Sequence, residues 1–208
     1  MDGVIVDSEP LHYEVNKEIF EELNIEVSES EYNSYIGTSN IEMWTMIKKR
    51  HNLDQSPEKL AKLQQTRNYM HVKNGEVKEV SGVINLIKEL NDSSLNLAIG
   101  SSSPKKLIEE VVDHLEIREY FDEIESGEDV ENGKPDPDLF EKLAEKLNIN
   151  NENILVIEDS HNGVKAAKNA GMKCIAYVNE NSGDQDLSPA DFLVDDFSLL
   201  SLEEINNM

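Results

Sequence analysis

The sequence predicts an α/β fold: an open parallel sheet flanked by helices, with a helical segment inserted near its start. Three observations predict it. From residue 80 onward short apolar runs alternate with amphipathic segments, the pattern of parallel strands joined by right-handed crossovers. Ile154-Leu155-Val156-Ile157 is a continuous apolar run, as expected of a strand covered on both faces. Residues 9–79 carry helical spacing with no convincing strand among them.

Within the insert, residues 11–23, 41–51 and 57–72 place apolar side chains at helical spacing. Trp44, Met43 and Met46 read as core of that unit, and Lys48-Lys49-Arg50-His51, the one basic cluster, either as a steering site for anions or as a solvated helix end favoured by the macrodipole. His51, His71 and His114 read as surface or packing residues. Beyond the insert, residues 95–99 read as a strand, and 104–114 as a helix with Pro104 near its first turn. Residues 121–125 are a weaker strand. Leu139, Phe140, Leu143, Ala144 and Leu147 make one helical face over 137–147. The strand at 154–157 precedes a helix over 163–169, a strand at 173–178 and a short strand at 192–194. Residues 179–189 form a polar loop.

Composition excludes several function classes. The net charge of −24 leaves no basic stripe to replace counterions, so no nucleic-acid partner is expected. No apolar run approaches the roughly 20 residues of a membrane span, and the acidic start is not a signal peptide. The single cysteine, Cys174, lies in an apolar run and reads as a buried strand residue. A cytoplasmic monomer is the expectation.

Ligands of an open α/β sheet bind outside the carboxyl ends of its strands, and polar groups converge there. Asp2 and Asp7 lie in the opening segment. Ser101-Ser102-Ser103-Pro104 follows one strand and opens a helix; Lys134 precedes the next helix; Glu158-Asp159-Ser160 follows the apolar run, with Gly163 close behind. Hydroxyls and backbone N–H groups at a helix start suit an anion, which fits Ser101 and Ser102. Lys134 adds a point charge for a phosphate oxygen. Asp2, Glu158 and Asp159 are hard oxygen donors of the kind Mg²⁺ takes. Taken singly, a serine cap, a Lys-Pro-Asp-Pro turn and a surface Glu-Asp pair are ordinary; their order and common placement point to phosphoryl transfer.

The set Asp2-Gly3-Val4…Asp7-Ser8, Ser101, Gly133-Lys134-Pro135 and Glu158-Asp159-Ser160…Gly163 resembles the haloacid dehalogenase superfamily, and more narrowly its β-phosphoglucomutase-like subfamily. The resemblance covers essentially the whole chain. It implies a Rossmann-like core of residues 1–8 and 80–208, a helical cap of residues 9–79, and Mg²⁺ at their interface. It assigns Asp2 as general acid/base, with its backbone carbonyl on the metal. Ser101 and Lys134 match the phosphate-binding positions, with Ser102 beside them. Asp159 matches the acidic metal ligand and Glu158 its neighbour. Asp7 fits the hinge into the cap.

The family's nucleophilic aspartate would be the residue directly ahead of Met1, which occupies the middle of an Asp-Met-Asp-Gly motif. The expectation is that an internal methionine stands here as the start. The strand leading to that aspartate would then precede the chain too, leaving its two neighbours with unpaired ladders. The alternative is a truncated, inactive phosphate-binding protein.

His12 resembles the mutase's cap histidine. The mutase's cap loop, Lys-Gly-Val-Ser-Arg, falls on Ile36-Gly37-Thr38-Ser39-Asn40, where both cations are absent. Holding a second phosphate depends on such cations. A phosphatase acting on a small phosphorylated metabolite, most simply a sugar phosphate, is therefore favoured over a phosphosugar mutase. Gly37, Thr38 and Asn40 are the candidate specificity residues, or else a turn and N-cap.

Overall fold

The computed structural model describes residues 1–36, 38–93 and 95–207. A short strand, β1 (Val6–Asp7), leads into four helices: α1 (Glu9–Glu22), α2 (Glu29–Asn33), α3 (Asn40–His51) and α4 (Pro57–Lys73). The chain returns through β2 (Lys78–Glu79) and α5 (Val83–Asp92). It continues through β3 (Ala98–Ser101), α6 (Lys105–His114), β4 (Glu123–Ser126), α7 (Asp138–Leu147), β5 (Leu155–Glu158), α8 (His161–Asn169), β6 (Lys173–Tyr177), β7 (Phe192–Val194) and α9 (Leu202–Asn206).

Helices α1–α4 enclose their own apolar cluster, including Val15, Ile19, Phe20, Trp44, Ile47 and Leu60. Trp44 is fully buried, and its indole N–H donates to Gln64 Oε1 at 2.9 Å. Burying Trp without that partner would leave an unpaired donor. Ser39 and Ser56 cap α3 and α4 by accepting from Glu42 N and Lys59 N, and Pro57 takes the first turn of α4, where a missing N–H costs nothing. His51 and His71, read from sequence as surface or packing residues, each find a carboxylate: His51 lies 2.8 Å from Glu31 and His71 2.7 Å from Glu76.

The remaining elements form a Rossmann-like α/β core. All pairings of β3 with β4, β5 with β6 and β6 with β7 are parallel. Strand alternation divides the apolar side chains between two layers. On β6, Ile175 packs with the α5 and α6 residues Leu86, Ile87, Ile108 and Val112, while Cys174 and Ala176 pack with α7 and α8. Cys174 is fully buried.

Three features depart from the sequence expectation. Helix α5 was not anticipated, although Val83, Leu86, Ile87 and Leu90 make a clear apolar stripe. Residues 78–79, inside the segment expected to hold no strand, pair antiparallel with Val6–Asp7, so the two chain crossings into the helical unit are laced together. The sheet is in two pieces, β3-β4 and β5-β6-β7. Strands β3 and β5 thus each have one hydrogen-bonded neighbour. A cavity of about 480 Å³ is lined by Ile99 of β3, Leu155 and Ile157 of β5, and Met1, Val4 and Ile5.

The helical unit meets the core along α4 and α6, where Tyr69 donates to Glu110 at 3.0 Å and the Lys106 ammonium lies 4.4 Å from the Tyr69 ring centre. Among the described residues no helix is long and apolar enough to cross a membrane.

Candidate active site

Residues 1–5 form a tight loop ahead of β1, with Asp2 bridged to Val6. Gly3 N donates to Val6 O and Ile5 N to Met1 O, and Gly3 takes a φ of +70°, where a side chain is strained. This loop places Asp2 against the end of β3. The hydroxyls of Ser101 and Ser103 both donate to Asp2 Oδ2, at 3.2 and 2.8 Å. Ser103 is fixed in turn, because its N–H donates to Ser101 Oγ and its carbonyl accepts from Ser126. Helix α6 begins two residues later, with its first N–H, that of Lys105, donating to Glu128 Oε2 at 3.0 Å.

Lys134 reaches the same region from the loop ahead of α7. Its ammonium pairs with Glu158 Oε1 and donates to the Gly100 carbonyl at 3.3 Å. Glu158 ends β5, and its Oε2 accepts from the N–H groups of Asp159 and Ser160 and from the Ser160 hydroxyl. Ser160 also caps α8 by accepting from Gly163 N. A Cβ at Gly163 would overlap the Glu158 carboxylate, and one at Gly3 would overlap that of Asp159. Both glycines make room for carboxylates.

The three acids differ in electrostatics. Burial opposes ionisation of Asp2, while His12 and the Ser103 and Ser101 hydroxyls favour its charged form. Burial likewise opposes Glu158, and the Lys134 charge holds it down. Asp159 has no such relief. Burial and the Glu158 charge push it up to about 7, against a hydrogen bond from Ser182. His12 is raised: burial works against its charge, while Glu9 and Asp2 favour it.

These residues fit a hard divalent cation. Lys134 pairs with Glu158, and among the described residues Asp159 is a buried acid with no ion pair, in the field of the Glu158 and Asp2 charges. Among the described residues no group of three His, Cys, Asp or Glu side chains that could hold a metal ion is found.

Asp2, Ser101, Lys134, Glu158 and Asp159 are therefore brought together. Ser102 is exposed, and Ser103 turns to Asp2 instead. Thr38 spends its hydroxyl on the Tyr35 carbonyl, and Asn40 is exposed at the start of α3. Gly37 lies outside the described residues. Asp7 sits on β1 with Oδ2 accepting from Asn181 at 2.7 Å. Sequence reasoning missed Ser103, Asn179 and Ser182. The first was one step along a legible serine run; the others lie in a polar loop with no local signal.

A family model described as haloacid dehalogenase-like hydrolase matches residues 1–177. A phosphorylated carbohydrates phosphatase of Thermotoga maritima is 30% identical over 184 residues, covering 88% of this chain and 85% of that protein. The crystal structure of CbbY from Rhodobacter sphaeroides in complex with phosphate is 26% identical, covers 99% of this chain and 96% of that one, and superposes with a TM-score of 0.85. That of β-phosphoglucomutase from Clostridium difficile is 25% identical, covers 99% and 92%, and gives a TM-score of 0.78.

Proposed function

Because the chain belongs to the haloacid dehalogenase-like hydrolase family, in its β-phosphoglucomutase-like group, we propose that it is a Mg²⁺-dependent phosphatase of a small phosphorylated metabolite, a sugar phosphate. Residues 1–8 and 80–208 form the catalytic core of this reading, and residues 9–79 its cap. The observation that carries it is the meeting of Asp2, Ser101, Ser103, Lys134, Glu158 and Asp159 at the carboxyl ends of β3 and β5.

Each group has a task in that reaction. The Ser101 and Ser103 hydroxyls and the Lys134 ammonium receive the phosphate oxygens. Asp2 is the general acid/base: it must first take up a proton to protonate the leaving oxygen. In the ionised form that the Ser101 and Ser103 hydroxyls favour, it takes a proton from the attacking water. Asp159 and the Asp2 carbonyl, with Glu158 alongside, would hold Mg²⁺, which would supply the charge neutralisation that lets a carboxylate approach an anion. The phosphoryl acceptor is the aspartate that the family resemblance puts directly ahead of Met1, and no residue of 1–208 is assigned that role.

Hydrolysis is favoured over phosphate relocation by the helical unit. At the two positions where the mutase loop is cationic, Ile36 packs with an apolar cluster and Asn40 is exposed. The carbohydrate phosphatase of Thermotoga maritima points the same way. The test is phosphate release from a panel of hexose and pentose phosphates by a form carrying Asp directly before Met1. Asp2→Asn should lower turnover at least about a hundredfold, and full turnover in that variant would remove the assigned role.

A further inference from the structure

Segment 179–185 follows β6 and reaches Gly3, Asp7 and Asp159 without belonging to the constellation described above. Asn179 Nδ2 donates to the Gly3 carbonyl at 2.9 Å, and Asn181 Nδ2 to Asp7 Oδ2 at 2.7 Å. Ser182 is 7% exposed, and its hydroxyl donates to Asp159 Oδ2 at 2.5 Å. Gln185 ties the segment to the start of α8, accepting from His161 N at 3.0 Å while donating to the Ser182 carbonyl at 3.0 Å. Gly183 then turns with a φ of +73° and lies against the helical unit. A Cβ built there would stand 3.0 Å from Ile36 Cγ2.

Adjacent residues of one anchored turn therefore face two different bodies. Ser182 orients an acid of the core, and Gly183 seats the residue that leads into loop 36–40 of the helical unit. The turn is internally braced, with Ser182 N donating to Asn179 O and Asn181 N to Asn179 Oδ1. A shift imposed at Gly183 is accordingly passed to the Ser182 hydroxyl rather than lost in a slack loop.

We propose that segment 179–185 is a strap that couples the seating of Ile36 to the orientation of the Asp159 carboxylate, with Ser182 as the positioning residue for Asp159. The inference rests on the reading of Asp159 as a cation ligand. Groups that orient a metal's carboxylate alter affinity by about 10–100-fold when removed. The Ile36 side chain has no polar atom to offer the cation, so an effect of truncating it on affinity reports coupling through the strap.

The experiment is direct Mn²⁺ binding, followed by electron paramagnetic resonance, on the 208-residue chain and three variants: Ser182→Ala, Ile36→Ala and the double variant. Circular dichroism establishes that each is folded, and Ser182→Thr provides a further variant that keeps the hydroxyl. The expected result is Mn²⁺ affinity about tenfold weaker in Ser182→Ala and close to wild type in Ser182→Thr. Ile36→Ala should weaken binding a few-fold in the wild-type background and have no further effect beside Ser182→Ala, because coupled residues are not additive. Wild-type affinity in Ser182→Ala overturns the positioning role. An Ile36→Ala effect that is nil, or equal in both backgrounds, overturns the coupling while leaving the cation site standing. Absence of Mn²⁺ binding by the wild-type chain overturns both the cation reading and the strap.

Discussion

Lys134 and Glu158 form a buried ion pair in which the lysine side chain is 9% exposed and the carboxylate 8%. The pair links the loop ahead of α7 to the end of β5, and through the Gly100 carbonyl to β3. Removing one member of a buried pair leaves an uncompensated charge, which costs about 3–5 kcal/mol. Lys134→Ala should therefore destabilise the protein by that order in urea unfolding. Lys134→Met should be no better, because the carboxylate is still unpaired. A loss below about 1 kcal/mol, the range of an exposed pair, would contradict the burial argument.

Gly163 lies in the first turn of α8, where alanine would ordinarily favour the helix by about 1 kcal/mol. Here its Cβ would overlap the Glu158 carboxylate, which is pinned by Lys134 and by the start of α8. Overpacking of this kind costs about 1–3 kcal/mol. Gly163→Ala should lower the melting temperature despite its better helix propensity. An unchanged or higher melting temperature would show that the carboxylate moves freely.

A second acid is buried away from the site. Glu31 of α2 accepts from the Tyr35 hydroxyl and lies 2.8 Å from His51 Nε2, with Arg50 at 3.3 Å. Burial opposes its charge, but His51, Tyr35 and Arg50 hold its pKa below the ordinary carboxylate value. A depressed folded-state pKa stabilises above the unfolded value near 4.5, and the gain is lost as pH falls through the folded value. Glu31→Gln should thus cost about 1–3 kcal/mol at neutral pH, and the gap to wild type should close as pH falls below 4.5 through the lowered folded value. A gap constant over that range, measured by thermal melts, would contradict the assignment.

Most of the architecture is legible locally. The helix read over 41–51 is Asn40–His51, and the strand read over 154–157 is Leu155–Glu158. Both carry strong periodicity or an unbroken apolar run. The carboxylate and serine positions were legible because glycine, proline and acidic residues mark strand ends. Ser182 was not, because its partner Asp159 is 23 residues away and nothing in the loop's composition points to it. Nor was the β1–β2 ribbon, since two-residue strands have no period to read. Ser102 and Ser103 are equivalent in sequence; only the turn into α6 selects the second.

The measurement that tests the phosphatase reading most directly is ³¹P NMR of a hexose phosphate incubated with the form carrying Asp before Met1, with and without Mg²⁺. Growth of the inorganic phosphate signal only when Mg²⁺ is present is the predicted result. A phosphate that moves to another sugar hydroxyl without inorganic phosphate appearing would contradict hydrolysis and make the protein a mutase; release independent of Mg²⁺ would contradict the role given to Asp159.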